Sequence, residues 1–130
     1  MEHRLYSDGN QKKISWVIQT GESTEEEERI QVDEYIDKVT NEQSKYITLH
    51  VGMFWGIGRY VIKNEDIVDV MLDSKTMFEH LQNNAEIFDE FIEKRTWYYK
   101  ELINQRKLKI RYHLIDPKEN LASKRKKINQ

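Results

Sequence analysis

Two short runs of strand-forming residues, joined by a turn, open the chain and decide its fold. Residues 5–10 read Leu-Tyr-Ser-Asp-Gly-Asn, and residues 14–19 read Ile-Ser-Trp-Val-Ile-Gln. β-Branched and aromatic residues favour strands, and Asp-Gly between two such runs is a strong hairpin signal. We therefore predict an antiparallel strand pair at the start of a sheet, with Asp8 at the end of its first strand.

The rest of the chain is predicted to alternate strands and helices. A third strand is predicted over residues 30–36, after an acidic loop at 22–28. Thr40 is a candidate N-cap, with Gln43 at the capping-box position, for a helix that closes near residue 63. The remaining predicted elements are a strand at 66–72, a helix capped by Ser74, a helix at 85–105, a strand at 108–115 and a helix from 121. This order predicts an α/β fold with a five-stranded mixed sheet, strands one to three antiparallel, and helices on both faces.

Composition limits the class of protein. The 130 residues, 38% of them hydrophobic and 11% aromatic, suffice for one core, so we expect a single domain over residues 1–130. The absence of cysteine excludes disulfides, thiol nucleophiles and cysteine zinc sites. No apolar run approaches the ~20 residues of a membrane span, and we expect a cytoplasmic protein without a membrane partner. Trp16, Trp55 and Trp97 are predicted to lie in the core, with base stacking by one of them as the alternative.

Charge is distributed unevenly along the chain. Residues 94–130 hold twelve Lys and Arg against three acidic residues, whereas residues 1–93 hold nine against twenty. A polarised charge distribution of this size attracts an anionic partner to one end of a molecule. A solvated basic tail is the alternative interpretation.

Four segments resemble ribonuclease H, in its reverse-transcriptase-like branch. Residues 5–9 resemble the family's first strand, which ends in Asp-Gly. Residues 40–53 begin Thr-Asn-Glu-Gln-Ser-Lys and resemble the first-helix pattern Thr-Asn-Asn-x-Ala-Glu. Residues 70–75 resemble a strand that ends in Asp-Ser, and residues 115–124 resemble the pattern Val-x-x-x-x-Asn-x-x-Ala-Asp. The resemblance covers nearly the whole chain and implies a ribonuclease H-like fold.

The resemblance also implies a site of four carboxylates that bind divalent ions. Two such ions activate water and stabilise the leaving oxygen in phosphodiester hydrolysis, and Mg²⁺ prefers hard oxygen ligands. Asp8 and Asp73 stand at two of the four positions, but Lys45 and Lys124 stand at the other two. Because ammonium groups repel a dication, we predict no bound metal and no cofactor. An active site built from other acidic residues, with Mg²⁺, is the alternative.

These features together predict binding without cleavage. The family uses the turn that corresponds to Thr40 and Asn41 to contact the sugar-phosphate backbone of its substrate. The basic end of the chain is the expected electrostatic contact, through Lys124, Arg125, Lys126 and Lys127. We expect a protein that binds RNA·DNA hybrid or double-stranded RNA. An active ribonuclease H and a scaffold that binds a protein partner are the alternatives.

Overall fold

The computed structural model of the chain describes residues 1–123, in which five strands form one mixed sheet of order β3-β2-β1-β4-β5. The strands are β1 (Glu2–Gly9), β2 (Lys13–Thr20), β3 (Ser23–Ile30), β4 (Ile67–Leu72) and β5 (Lys109–Leu114). β2 pairs antiparallel with β1 and β3, while β4 pairs parallel with β1 and β5. The predicted five-stranded mixed sheet, with strands one to three antiparallel, is confirmed.

Three helices connect these strands. They are α1 (Asn41–Gly58), α2 (Lys75–Asn83) and α3 (Glu90–Arg106). The predicted capping box of α1 is present: the Gln43 amide donates to Thr40 Oγ1 at 3.0 Å, and the Thr40 amide donates to Gln43 Oε1 at 3.0 Å. Within residues 1–123, no helix combines the length and the apolar character needed to cross a bilayer.

Apolar side chains pack on both faces of the sheet because neighbouring strand residues point to opposite sides. Leu5 and Trp16, both fully buried, lie in the larger cluster, to which α1, α2 and α3 all contribute. Tyr6 and Val17 lie on the opposite face and pack against Ala122, which belongs to a helical turn at residues 121–123. Helical residues thus contact both faces of the sheet, as predicted.

The predicted position of the third strand is wrong. β3 begins at Ser23, inside the predicted acidic loop, and residues 33–38 form turns instead of a strand. Gly21, at φ +58°, lies in the turn between β2 and β3, where it adopts the left-handed conformation that glycine tolerates. β3 is an edge strand, so its glutamates reach solvent, and charged residues protect such an edge from further pairing. Pairing with β2 therefore outweighs the low strand propensity of glutamate.

α3 begins later than the predicted residue 85, and its buried stripe leaves out Trp97. It begins at Glu90, after the N-cap Asp89, and its buried residues are Ile92, Thr96, Tyr99 and Leu102. Trp97 is 60% exposed, so its predicted place in the core is wrong, while Trp16 and Trp55 are buried. The cause is the helical period: successive residues lie about 100° apart, so burial of Thr96 turns Trp97 outwards.

Candidate functional site

Two aspartates meet at one end of the sheet. Asp8 lies near the end of β1, and Asp73 directly follows β4, which is the parallel neighbour of β1. The carboxyl ends of parallel strands share one edge of a sheet, where α/β folds commonly place their sites. Lys45 Nζ donates to Asp8 Oδ1 at 3.2 Å and to Asp73 Oδ1 at 2.8 Å. The structure thus brings three of the predicted site residues into one cluster, in which the lysine bridges the two aspartates.

Close approach of α1 to the sheet puts Lys45 in this position. A Cβ atom at Gly9 would lie 2.4 Å from both Ser44 Oγ and Thr48 Oγ1, so only glycine fits beneath the helix there. Ser44 and Thr48 are completely buried, which orients the adjacent Lys45 across the ends of β1 and β4. The Asp-Gly pair at the end of β1 therefore supplies both a carboxylate and the space that the helix needs.

The cluster is shielded from solvent. The side chains of Lys45, Asp8 and Asp73 are 23%, 12% and 8% exposed. Burial alone would lower the pKa of Lys45, but the hydrogen bonds and charges of Asp73 and Asp8 outweigh it and raise that pKa above its ordinary value. Lys45 is therefore an ammonium at neutral pH, and it compensates one of the two carboxylates.

Neutral donors from the end of the described chain bind the remaining carboxylate oxygens. Asn120, which is completely buried, donates from Nδ2 to Asp73 Oδ2 at 3.0 Å and to the Ser7 carbonyl at 3.0 Å. Ser123 Oγ donates to Asp8 Oδ2 at 2.6 Å. Sequence reasoning did not assign either residue to the site. Asn120 matches the asparagine of the final family pattern, which is a usable signal, whereas nothing in the sequence singles out Ser123.

The other predicted contact residues lie near the cluster or outside the described part of the chain. Thr40 is exposed, and its hydroxyl caps α1. Asn41 is exposed in the first turn of α1, four residues before Lys45, so both residues lie on one face of the helix. The predicted basic stretch lies outside the described residues: Lys124, Arg125, Lys126 and Lys127.

The residues of this cluster do not fit a divalent ion. Mg²⁺ binds oxygen ligands at about 2.0–2.1 Å, and the two oxygens that face each other here, Asp8 Oδ1 and Asp73 Oδ1, both bind the Lys45 ammonium. A dication about 4 Å from an ammonium would be repelled by about 8 kcal/mol at an effective dielectric of 20. Among residues 1–123, no group of three or more His, Cys, Asp and Glu side chains is arranged to hold a metal ion.

Comparison with known proteins gives no match by sequence and clear matches by structure. No protein-family model matches the chain, and a search of curated proteins finds no significant relative. The N-terminal RNase H domain of rv2228c from Mycobacterium tuberculosis superposes with a TM-score of 0.75 at 18% identity. RNase H1 from the halophilic archaeon Halobacterium salinarum NRC-1 gives 0.69 at 12% identity.

A third similar structure, LC11-RNase H1 in complex with an RNA/DNA hybrid, gives a TM-score of 0.66 at 14% identity. In all three comparisons the match covers 95% of this chain and 91% of the other. The chain therefore has the ribonuclease H-like fold.

Proposed function

We propose that this protein binds RNA·DNA hybrid or double-stranded RNA and does not cleave it. The observation that carries the proposal is the Lys45 ammonium between Asp8 and Asp73. Cleavage by the metal-dependent route requires ions that activate water and neutralise the leaving oxygen. An ammonium can neutralise charge, but it cannot lower the pKa of a bound water as a divalent ion does.

The last described residues support the loss of the metal site. Ser123 donates to Asp8, and the preceding Ala122 is completely buried. We infer that Asn120 keeps the position of the pattern's asparagine and that Ala122 and Ser123 correspond to its Ala-Asp pair, with one residue fewer between them than in the alignment that assigned Lys124. In that alignment a neutral hydroxyl replaces the fourth carboxylate, and the site keeps two carboxylates of four.

Binding does not depend on those ions. Proteins recognise A-form duplexes through phosphates and 2′-hydroxyls in the shallow groove, which requires donors and positive charge. Asn41 offers an exposed amide in the first turn of α1, on the same face as Lys45. The basic end of the chain adds positive charge, and one solved protein of the same fold is bound to an RNA/DNA hybrid. These features favour a duplex ligand.

A cleavage assay tests the catalytic half of the proposal. Labelled hybrid is incubated with the protein and Mg²⁺ or Mn²⁺, and the expected result is no product above background. Asp8→Asn and Asp73→Asn are the matched controls for a contaminating nuclease. Cleavage that either substitution abolishes would mean that the site is active, and the proposal would be wrong.

A salt titration tests the binding half. Affinity for hybrid and for double-stranded RNA is measured against salt concentration, for the wild type and for a variant with Gln at positions 124–127. Each lost phosphate contact is expected to reduce the slope of log affinity against log salt by ~0.9, the value for B-DNA. An unchanged slope would exclude these four residues from the contact. No binding at low salt would overturn the proposal and favour a protein partner.

A further inference from the structure

A groove lined by aromatic and basic side chains lies beside α3, away from the cluster. It has a volume of about 360 Å³, and its lining residues are Tyr35, Phe91, Lys94, Arg95 and Tyr98. Tyr35 belongs to the turns that precede α1, and the other four belong to α3. The groove thus combines three aromatic rings and two cations on neighbouring elements, within the size range of sites that bind small molecules.

Arg95 is held by aromatic rings, one hydroxyl and one imidazole instead of by a carboxylate. Its guanidinium donates to Tyr35 Oη at 2.7 Å and lies 3.2 Å from His50 Nδ1. It also lies 5.6 Å and 5.8 Å from the ring centres of Tyr35 and Phe91. In the described part of the chain, neither Arg95 nor Lys94 forms an ion pair. A half-buried charge is ordinarily paired with an opposite charge. Because Arg95 has no such partner among the described residues, an anion can bind to it in the groove.

Two of the five residues that line the groove, Lys94 and Arg95, are cationic, and none is acidic. Burial, and then the charge of Arg95, lower the pKa of His50 to about 4, so this histidine is neutral at pH 7. Tyr98, in the groove lining, is 48% exposed, and the neighbouring Trp97, outside the lining, is 60% exposed. Their ring centres lie 5.1 Å apart in an edge-to-face arrangement. Exposed aromatic rings beside unpaired cations are the combination that single-stranded nucleic acid sites use.

We propose that this groove binds an unpaired nucleotide of a strand that extends from the bound duplex. The base stacks on Tyr98, and the phosphate faces Lys94 and Arg95. The inference rests on the proposed function, because the duplex brings the strand to the protein, and it adds a preference for a duplex with a single-stranded extension.

The groove lies within reach of the cluster. Gln43 Nε2, in the first turn of α1, donates to Asp89 Oδ2, in the N-cap of α3, at 3.0 Å. Arg95 follows Asp89 by six residues, or about 9 Å along the axis at 1.5 Å per residue. At about 3.4 Å per nucleotide, a few nucleotides span this distance. A strand that leaves the duplex beside Asn41 can therefore reach the groove.

Three labelled ligands test the proposal by fluorescence anisotropy: a blunt hybrid, the same hybrid with a short single-stranded extension, and the single strand alone. The wild type is expected to bind the extended hybrid roughly five- to tenfold more tightly than the blunt one, because stacking of one base on an aromatic ring increases affinity by about this factor. Tyr98→Ala and Lys94→Gln, both exposed, should each remove most of this preference and leave blunt affinity unchanged. Tyr60→Ala, at an 82% exposed tyrosine outside the groove, is the matched control and should keep the preference.

The outcomes separate this inference from the proposed function. Equal affinity for blunt and extended hybrid, or a preference that survives in both groove variants, would overturn the groove assignment while leaving duplex binding in place. Binding of the single strand but not of blunt duplex would support the groove and overturn the duplex as ligand. Binding to none of the three ligands would overturn both, and would leave the groove to a protein partner.

Discussion

The two ends of the sheet both bury aspartates, but the groups that bind them differ in number and arrangement. At one end, Asp66 accepts hydrogen bonds from His3 Nε2 at 2.7 Å, from the Lys63 amide at 2.9 Å and from the terminal amine at 3.1 Å. At the other end, Asp8 and Asp73 share the ammonium of Lys45. The donors to Asp66 come from the start of β1 and from the loop before β4, and three of them share one carboxylate. By contrast, Lys45 is one long side chain from α1 that two carboxylates share.

This difference indicates what each end does. Several fixed donors around Asp66 stabilise its ionised form: burial alone would raise the pKa of Asp66, but its hydrogen bonds lower it to about 2. Such an arrangement holds the strand ends together and exposes no reactive group. At the other end one charged side chain, that of Lys45, binds two carboxylates at once, so its loss would disturb both. We expect that end to be the more sensitive to substitution.

The largest effect is expected from Lys45→Met. This substitution leaves two buried carboxylates without their shared cation, and we expect it to lower the free energy of unfolding by about 3 kcal/mol, the low end for a buried pair. Urea denaturation in the absence of divalent ions measures the change. Lys75→Met, at an exposed lysine at the start of α2, is the matched control and should cost little. A loss for Lys45→Met no larger than the control's would show that the ion pairs contribute nothing.

Asp66→Asn is expected to have a smaller effect that depends on pH. The pKa of Asp66 is about 2 in the folded chain and 3.8 ordinarily, so its ionised form favours folding. This contribution, about 1–2 kcal/mol, is complete above pH 4 and is lost as the pH falls through 2. The difference in unfolding free energy between wild type and variant should therefore shrink between pH 4 and pH 2. Asp33→Asn, in an exposed turn, is the control, and a difference for Asp66→Asn that is constant with pH would contradict the account.

Ser123→Ala should cost about 1 kcal/mol, because it removes one hydroxyl donor from the Asp8 carboxylate at the end of the described chain. The effect should disappear in a Lys45→Met background if the hydroxyl acts only within an intact cluster, which a double-mutant cycle measures. Ser23→Ala, at an exposed serine of β3, is the control. A cost equal to that of the control would remove Ser123 from the site.

The smallest effect on stability is expected from Asn41→Ala, within about 0.5 kcal/mol, since Asn41 is exposed. Affinity for hybrid should nevertheless fall about three- to fivefold, as the loss of one hydrogen bond predicts. Asn64→Ala, at an exposed asparagine near the Asp66 end, should change neither quantity. Equal losses of affinity in the two variants would show that binding does not favour the Asp8 end.

Local signals predicted the parts of the fold that local chemistry decides. The capping box of α1 and the β1–β2 hairpin followed from residue types at fixed spacing, although Asp8 and Gly9 end β1 and the turn itself lies at residues 10–12. The pairing of Asp8 with Asp73 near Lys45 followed from the resemblance together with parallel neighbouring strands. The first two features need no knowledge of distant contacts, and the third needs only the parallel order of β1 and β4.

The misplaced features depend on contacts between distant residues. β3 was misplaced because its glutamates form a strand only by pairing with β2. Trp97 was placed in the core as an aromatic residue of a predicted helix, whereas packing of α3 against α1 buries Thr96 instead. Ser123 was overlooked because its register depends on buried Asn120, which fixes the last segment over the ends of β1 and β4.

We propose that the Lys45 ammonium takes the place of metal at the Asp8 end, and thermal melting with and without Mg²⁺ tests this proposal most directly. The wild type should melt at the same temperature in both conditions, because Lys45 already bridges the two carboxylates. The double variant Lys45→Glu with Ser123→Asp should melt lower without Mg²⁺, since four carboxylates then crowd together, and should regain stability when Mg²⁺ is added. A wild type that Mg²⁺ stabilises, or a double variant that ignores it, would contradict the account.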